Sequence, residues 1–288
     1  MQAFSFNVAA EPLRPPMPEL PEVETTRRGI EPHVEGRRVV ELAVHEPRLR
    51  WPVPAQLSRA VRGAAVVGVR RRAKYLLIDL EAERSLILHL GMSGSLRVLP
   101  AKTPRLKHDH FDLLLDSGNT LRFNDPRRFG SLHLVEGDPM THPLLASLGP
   151  EPLEAHFDAD YLWQMSRGRR VAVKPFLMNA HVVVGVGNIY ASEALFRAGV
   201  RPGRQARHLK RDEIARIVES IKVVLAQAVK VGGTTLRDYV GADGTPGYFR
   251  QKLFVYERHG EPCRRCGMPI RHRVQAQRST YWCHACQR

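Results

Sequence analysis

Cysteine is nearly absent from this chain of 288 residues: there are four, Cys263, Cys266, Cys283 and Cys286, and all fall in the last 26 positions. The other 262 residues have none and the start shows no apolar signal core, which argues against a disulfide-stapled secreted module. No apolar run approaches the roughly 18–20 residues that a membrane-crossing helix needs, so a membrane span is excluded. Acid is in deficit, with 29 Asp and Glu against 44 Lys and Arg, a formal charge of +15. Lysine is scarce too, since 36 of those basic residues are Arg and 8 are Lys. No internal repeat or low-complexity segment is visible, which excludes solenoid architectures.

What is present is ordinary globular material. Hydrophobic residues at 43% and charged residues at 25% exclude a disordered polycation, a collagen-like chain and a coiled coil. The length suits at least two lobes of the usual domain size. A folded chain with a pI near 10.2 carries its surplus charge on a surface, and the polyanion that fits is nucleic acid. The arginine excess suits bidentate phosphate contacts, but a GC-rich coding bias would produce it equally well.

The four cysteines read C-x2-C-x16-C-x2-C, the spacing of a four-thiolate zinc ribbon in which two tight turns each present two sulfurs to one tetrahedral ion. Four protein thiolates leave no open coordination position, so this zinc is structural. Arg264, Arg265, Arg271, His272, Arg273 and Arg278 lie between the pairs and make the hairpin cationic, as a phosphate-contacting element would be.

Residues 1–16 show no helical or strand period. From Glu19 to Glu31 charged residues alternate around Val23 and Ile30, with Pro21 in a first turn, which predicts a short helix closed by Gly29–Pro32. Eight short alternating or β-branched runs follow: 38–44, 65–71, 75–80, 85–90, 95–99, 110–115, 120–124 and 130–135. They predict an antiparallel sandwich or barrel. After Pro139 the periodicity turns helical, at 160–167, 172–178, 187–198 and 210–231, with paired glycines in the connection MNAHVVVGVGN.

The segment Met17-Pro18-Glu19-Leu20-Pro21-Glu22 carries a chemical possibility. A proline at the very start of a mature chain would offer a secondary amine with a pKa of about 7.7–8.0, partly neutral at physiological pH and therefore nucleophilic. Attack on the anomeric carbon of a nucleotide expels the base and leaves an iminium, which acidifies the sugar protons and promotes loss of phosphate. Taken alone, Pro18 reads as an ordinary turn residue.

The remaining motifs decide between these readings. MPELPEVETTRRGIEPH at 17–33, RRAKYLL at 71–77, HLGMSGSLR at 89–97, KHDHFDL at 107–113, NDPRRFG at 124–130, LGPEPL at 148–153, KPFLM at 174–178, VGVGNIYASEALFRAG at 184–199, GGTTLRDY at 232–239, GYF at 247–249 and the cysteine ribbon strongly resemble the formamidopyrimidine-DNA glycosylase family, in the family's order from Met17 to Arg288. Leu20 as third residue of the opening motif favours the branch acting on oxidised purines over the endonuclease VIII-like branch, which typically opens Pro-Glu-Gly-Pro-Glu.

The resemblance implies an α+β multi-domain chain: an N-terminal antiparallel β-sandwich over 18–138 that carries catalysis, a helical helix-two-turns-helix DNA-binding domain over 150–245, and a four-cysteine zinc-finger hairpin over 246–288, with one Zn2+. Residues 1–17 are expected to be an extension that is removed or foreign to the native chain. The implied activity is excision of 8-oxoguanine and formamidopyrimidines from damaged double-stranded DNA, followed by β,δ-elimination at the abasic site, by a monomer in a bacterial cytoplasm. By motif position, Pro18 is the Schiff-base nucleophile and Glu19 the general acid for sugar opening. Lys74 is the proton donor associated with β-elimination, and Arg278 the donor for δ-elimination that also grips phosphate. Glu22 and Glu193 border the lesion and sugar pocket. His108, Arg127, Arg169 and Asn188 bind DNA, and Met92, Arg127 and Phe129 enter the space vacated by the extruded nucleotide, with Arg127 pointing to cytosine opposite the lesion. Thr234–Phe249 falls where the family folds a cap over the flipped base.

The chain departs from the family pattern at two places. Asn179 stands where an acidic residue is common, and residues precede Met17. With those residues attached, the Pro18 nitrogen is a tertiary amide and cannot attack. Translation from Met17, proteolytic release, or loss of the proline route are the three ways to reconcile this. Two other functions therefore stay open: a non-catalytic lesion-binding protein that keeps the extension, and an endonuclease VIII-like glycosylase for oxidised pyrimidines.

Overall fold

The computed structural model describes residues 18–232 and 253–288, with the backbone alone of two short strands between them. The proposed extension at 1–17 and most of the loop at 234–249 lie outside the described residues.

The chain opens with α1 (Leu20–Val34), begun by the Glu22 carboxylate accepting the Glu19 backbone N–H at 3.0 Å and by Pro21 in the first turn. The helix does not end at Gly29–Pro32 as the sequence predicts but runs through both to Val34. Ile30 and Val34 are buried in the same core as Val23, and burying each gains about 1.5–3 kcal/mol against about 1 kcal/mol for a helical glycine. Pro32 falls in the last turn, close to where the helix ends anyway.

The eight predicted strands are present: β1 (Val39–Val44), β2 (Val66–Arg72), β3 (Tyr75–Leu80), β4 (Arg84–His89), β5 (Ser95–Pro100), β6 (Asp109–Leu115), β7 (Asn119–Asn124) and β8 (Ser131–Glu136). They form two four-stranded antiparallel sheets, ordered β1-β6-β7-β5 and β2-β3-β4-β8, with the short α2 (Leu57–Val61) joining β1 to β2. Leu76, Ile78, Leu86 and Leu88 of one sheet meet Phe111, Leu113, Leu121 and Phe123 of the other in a sandwich core. β3 and β4 are apolar on their outer face as well, where Leu77 and Ile87 are covered by Leu145 and its neighbours Met140 and Leu148. The segment leading to the second lobe is thus packed onto the first.

That second lobe holds α3 (Ala159–Ser166), α4 (Val173–Leu177), α5 (Asn188–Ala198) and α6 (Arg211–Lys230). α6 buries Ile214, Ile217, Ile221, Leu225 and Ala228, one stripe at helical spacing, while α5 is buried almost all round and forms the centre of the lobe. β9 (Leu236–Val240) pairs with β10 (Pro246–Gly247). The chain closes with a hairpin of β11 (Arg271–Gln275) and β12 (Arg278–Trp282) around a two-residue turn, Ala276–Gln277, whose positive φ angles of 45° and 62° match the twist of the flanking strands.

Candidate active site

The start of α1 is pressed into the loop before α5, and two glycines make room for it. Leu20 donates its N–H to the Gly185 carbonyl at 3.3 Å, and a Cβ on Gly185 would lie 2.5 Å from the Leu20 side chain. A Cβ on Gly187 would overlap the Glu19 carboxylate. Gly187 is the N-cap of α5 and has no side chain to cap it, so Glu19 takes that place from the other lobe: its Oε1 accepts the Ile189 N–H at 3.2 Å. The paired glycines of the GVGN motif are therefore the mould for Glu19-Leu20.

Glu19 is fully buried and its Oε2 has no partner among the described residues. Burial raises its pKa to about 7, against a partial lowering by the Lys74 charge. It is thus a carboxyl group that can hold or release a proton at neutral pH, beside the half-buried Pro18. Glu22 is anchored by the Tyr190 hydroxyl, which donates to its Oε1 at 2.8 Å.

Lys74 stands on the two-residue turn between β2 and β3. Glu151, from the segment that enters the helical lobe, accepts from the Ala73 N–H at 2.6 Å, Arg71 Nη1 at 2.7 Å and Arg72 Nη1 at 3.0 Å. This holds the turn although Ala73 sits at φ 55°, where an alanine is disfavoured. Beside it His89 accepts the Gly91 N–H at Nδ1, 2.9 Å, so its proton is on Nε2. Burial, with the Lys74 and Arg50 charges, lowers the His89 pKa to about 4 and leaves a neutral N–H donor next to Lys74.

Arg278 is exposed at the first position of β12. Its strand is fastened to α5 by the buried Lys174, whose ammonium donates to Asn188 Oδ1 at 2.5 Å, the Ser279 carbonyl at 2.6 Å and Thr280 Oγ1 at 2.9 Å. All three of its donors are used, and burial lowers its pKa to about 8. Asn188 also reaches the Tyr256 hydroxyl through Nδ2 at 3.4 Å. Glu193 is committed to three backbone amides, accepting from Phe254, Val255 and Tyr256 at 2.8–3.0 Å, and so ties α5 to the start of the zinc hairpin.

The other predicted DNA residues lie at the surface. Arg127 and Phe129 are exposed on the turn after β7, with the guanidinium 4.9 Å over the ring, and Met92 is half-buried on the turn after β4. An exposed aromatic on a tight turn is what a wedge requires and what a core residue would not be. His108 is half-buried and Arg169 exposed. Asn179 uses its side-chain oxygen to accept the His181 N–H at 3.0 Å, a local turn that needs an acceptor and no charge.

The four cysteine sulfurs lie within 4.8 Å of one another, with Cys263–Cys286 at 3.9 Å and Cys266–Cys283 at 3.4 Å. Four Zn–S bonds of about 2.3 Å in a tetrahedron place sulfurs roughly 3.8 Å apart, so the residues fit one structural zinc.

Three family models match the chain: the formamidopyrimidine-DNA glycosylase N-terminal domain at residues 17–132, that enzyme's H2TH domain at 148–240, and the zinc finger found in FPG and IleRS at 260–288. The chain belongs to the formamidopyrimidine-DNA glycosylase family. The formamidopyrimidine-DNA glycosylases of Thioalkalivibrio sulfidiphilus and Xanthomonas campestris are 61% and 57% identical over 272 residues, covering 94% of this chain and 100% of each relative. Among solved structures, the MutM (Fpg) protein of Thermus thermophilus is 41% identical with a TM-score of 0.83, covering 94% of this chain and 98% of its own. The Lactococcus lactis Fpg in complex with DNA containing an abasic site is 33% identical with a TM-score of 0.87, covering 94% of this chain and 99% of its own.

Membership in the formamidopyrimidine-DNA glycosylase family accounts for the order of the lobes and for the zinc hairpin. Reading single motifs misses the residues that hold those parts together. Lys174 and Glu151 both lie within the quoted motifs, yet their partners come from other segments, 14 to 106 positions away for Lys174 and about 80 for Glu151.

Proposed function

We propose that this chain is a base-excision repair enzyme that removes oxidised purines from duplex DNA and then cleaves the abasic site. The observation that carries the proposal is the seat of Pro18-Glu19 at the N-terminus of α5, with a carboxyl whose pKa is about 7 beside the proline. The formamidopyrimidine-DNA glycosylases among its relatives and the abasic-DNA complex of the Lactococcus lactis protein support the same reading.

In this proposal the functional chain begins at Pro18, which supplies a free secondary amine; the family match beginning at residue 17 supports that start. The amine nitrogen bonds to C1′ of the damaged nucleotide, the bond from C1′ to the base breaks, and the base leaves with a proton. Glu19 protonates the sugar ring oxygen as the ring opens to the iminium. Loss of a C2′ proton then breaks the C3′–O bond, and loss of a C4′ proton breaks the C5′–O bond, so each step expels a phosphate. Lys74 serves the first elimination. Arg278 serves the second and holds phosphate. Met92, Arg127 and Phe129 fill the space left in the duplex, while His108, Arg169 and Asn188 bind its backbone. The catalytic β-sandwich is 18–138 and the helical DNA-binding domain 150–245, with the zinc hairpin over 246–288 contributing Arg278, in a bacterial cytoplasm.

The substrate class is tested with the Pro18-start protein on duplexes carrying either 8-oxoguanine opposite cytosine or thymine glycol opposite adenine. The expected result is a gap flanked by phosphates, formed at least about tenfold faster at 8-oxoguanine, a difference worth roughly 1.4 kcal/mol in the barrier. Faster cutting at thymine glycol would make it an enzyme for oxidised pyrimidines, and binding without cutting would make it a lesion-binding protein.

A further inference from the structure

The β-sandwich side chains proposed to enter or grip the duplex stand on three separate turns: Met92 after β4, His108 before β6, and Arg127 with Phe129 after β7. One fully buried carboxylate joins the first and third. Asp125 Oδ1 accepts Ser93 Oγ at 2.6 Å and the Arg127 N–H at 3.2 Å, and Oδ2 accepts the Gly130 N–H at 2.8 Å. Its backbone joins the second turn, since the Asp125 N–H donates to the His108 carbonyl at 3.1 Å and the Asp125 carbonyl accepts His110 Nε2 at 2.7 Å.

These turns are strained and tightly stacked. His108 at φ 73° and Arg128 at φ 58° occupy the left-handed region, which costs a non-glycine residue about 1–2 kcal/mol and persists only where neighbouring bonds hold it. A Cβ on Gly91 would lie 2.5 Å from the Gly130 nitrogen, and one on Gly130 would lie 2.5 Å from the Phe123 ring. The Met92 and Phe129 turns therefore touch backbone to backbone, and neither can relax without the other.

We infer that Asp125 is a positioning residue that makes the three turns one rigid unit, so that the phosphate grip at His108 and the insertion of Met92, Arg127 and Phe129 occur as a single event. This rests on the proposed reading of the chain as a base-extruding enzyme. Asparagine at 125 would keep one acceptor and turn an N–H toward either the Gly130 N–H or the Ser93–Arg127 pair, loosening the wedge while leaving phosphate-binding arginines in place.

The test uses the zinc-loaded full chain and needs no free proline. Base extrusion is followed by stopped-flow fluorescence of 2-aminopurine beside an 8-oxoguanine in duplex DNA, and affinity is measured for a single strand carrying a tetrahydrofuran abasic analogue, which has no stack to fill. Asp125→Asn is expected to slow extrusion by about tenfold to hundredfold, the usual effect of an unsatisfied buried partner, with single-strand affinity changed less than about twofold. Ser93→Ala removes only the link to the Met92 turn and should slow extrusion by a smaller factor; it carries the test should Asp125→Asn fail to fold. Unchanged extrusion in both variants that fold, or equal losses on duplex and single strand, would overturn the inference. A wild-type chain that extrudes no base would overturn the proposed function and this inference with it, an outcome visible before any variant is made.

Discussion

Replacing Glu19 by glutamine is expected to reduce base excision by at least about a hundredfold, the usual scale of a lost general acid, while making the folded protein harder to melt above pH 7. The two effects share one cause. Burial raises the carboxyl pKa from 4.5 to about 7, so between those values the folded state holds a proton that the unfolded chain has released. Stability then falls as pH rises through that window, and at pH 8 the ionised, buried Glu19 costs up to about 3 kcal/mol. Glutamine keeps the acceptor for the Ile189 N–H and has no proton to lose. Thermal melts should therefore nearly coincide at pH 4.5 and separate in favour of the variant at pH 8. A constant difference across pH would contradict the raised pKa. The proposed mechanism uses a protonated Glu19 and a neutral Pro18 amine, so wild-type excision should peak between about pH 7 and 8.

Gly187→Ala should be nearly as damaging, although it changes no charge and no polar atom. The backbone at Gly187, φ −101° and ψ −161°, suits alanine, so the whole effect is the overlap of the new Cβ with the Glu19 carboxylate. Forcing a methyl into a filled site costs about 1–3 kcal/mol, and here relief means either lifting Glu19 from the α5 N-terminus or tilting α5. Excision should fall by at least about tenfold, since misplacing an acid by a fraction of an ångström loses much of its effect. A double variant checks the cause. With Glu19→Ala in place the clash disappears, so adding Gly187→Ala should then cost less than half of what it costs alone, by chemical denaturation. Additive losses would mean that Gly187 is needed for something other than room for Glu19.

The fold was legible wherever one periodicity ruled. All eight strands appear within about two residues of their alternating runs, a match set by the two-residue repeat of a half-buried sheet. The end of α1 was illegible because Gly29 and Pro32 are local stop signals, whereas the reason to continue, burial of Ile30 and Val34, lies in the sandwich they pack against. The five-residue α2 is too short to show a period. Within the site, motif order proposes which residues meet DNA but says little about those that position them. Glu193 illustrates the gap: one acid on α5 carries no sign that it will accept three amides from 254–256. Gly185 and Gly187 were visible as a turn, and only the seating of Leu20 and Glu19 against them explains why both must be glycine.

In the proposed mechanism the Pro18 nitrogen is the nucleophile of a chain that functions from that residue. Borohydride trapping measures it directly, because reduction converts the iminium to a stable amine that joins protein to DNA. The Pro18-start protein incubated with an 8-oxoguanine duplex and borohydride should yield one adduct, and peptide mapping should place the link on Pro18. The chain retaining residues 1–17 should yield none, since its Pro18 nitrogen is a tertiary amide. Undiminished trapping in that longer chain, or in a Pro18→Gly variant with a blocked terminus, would contradict the account.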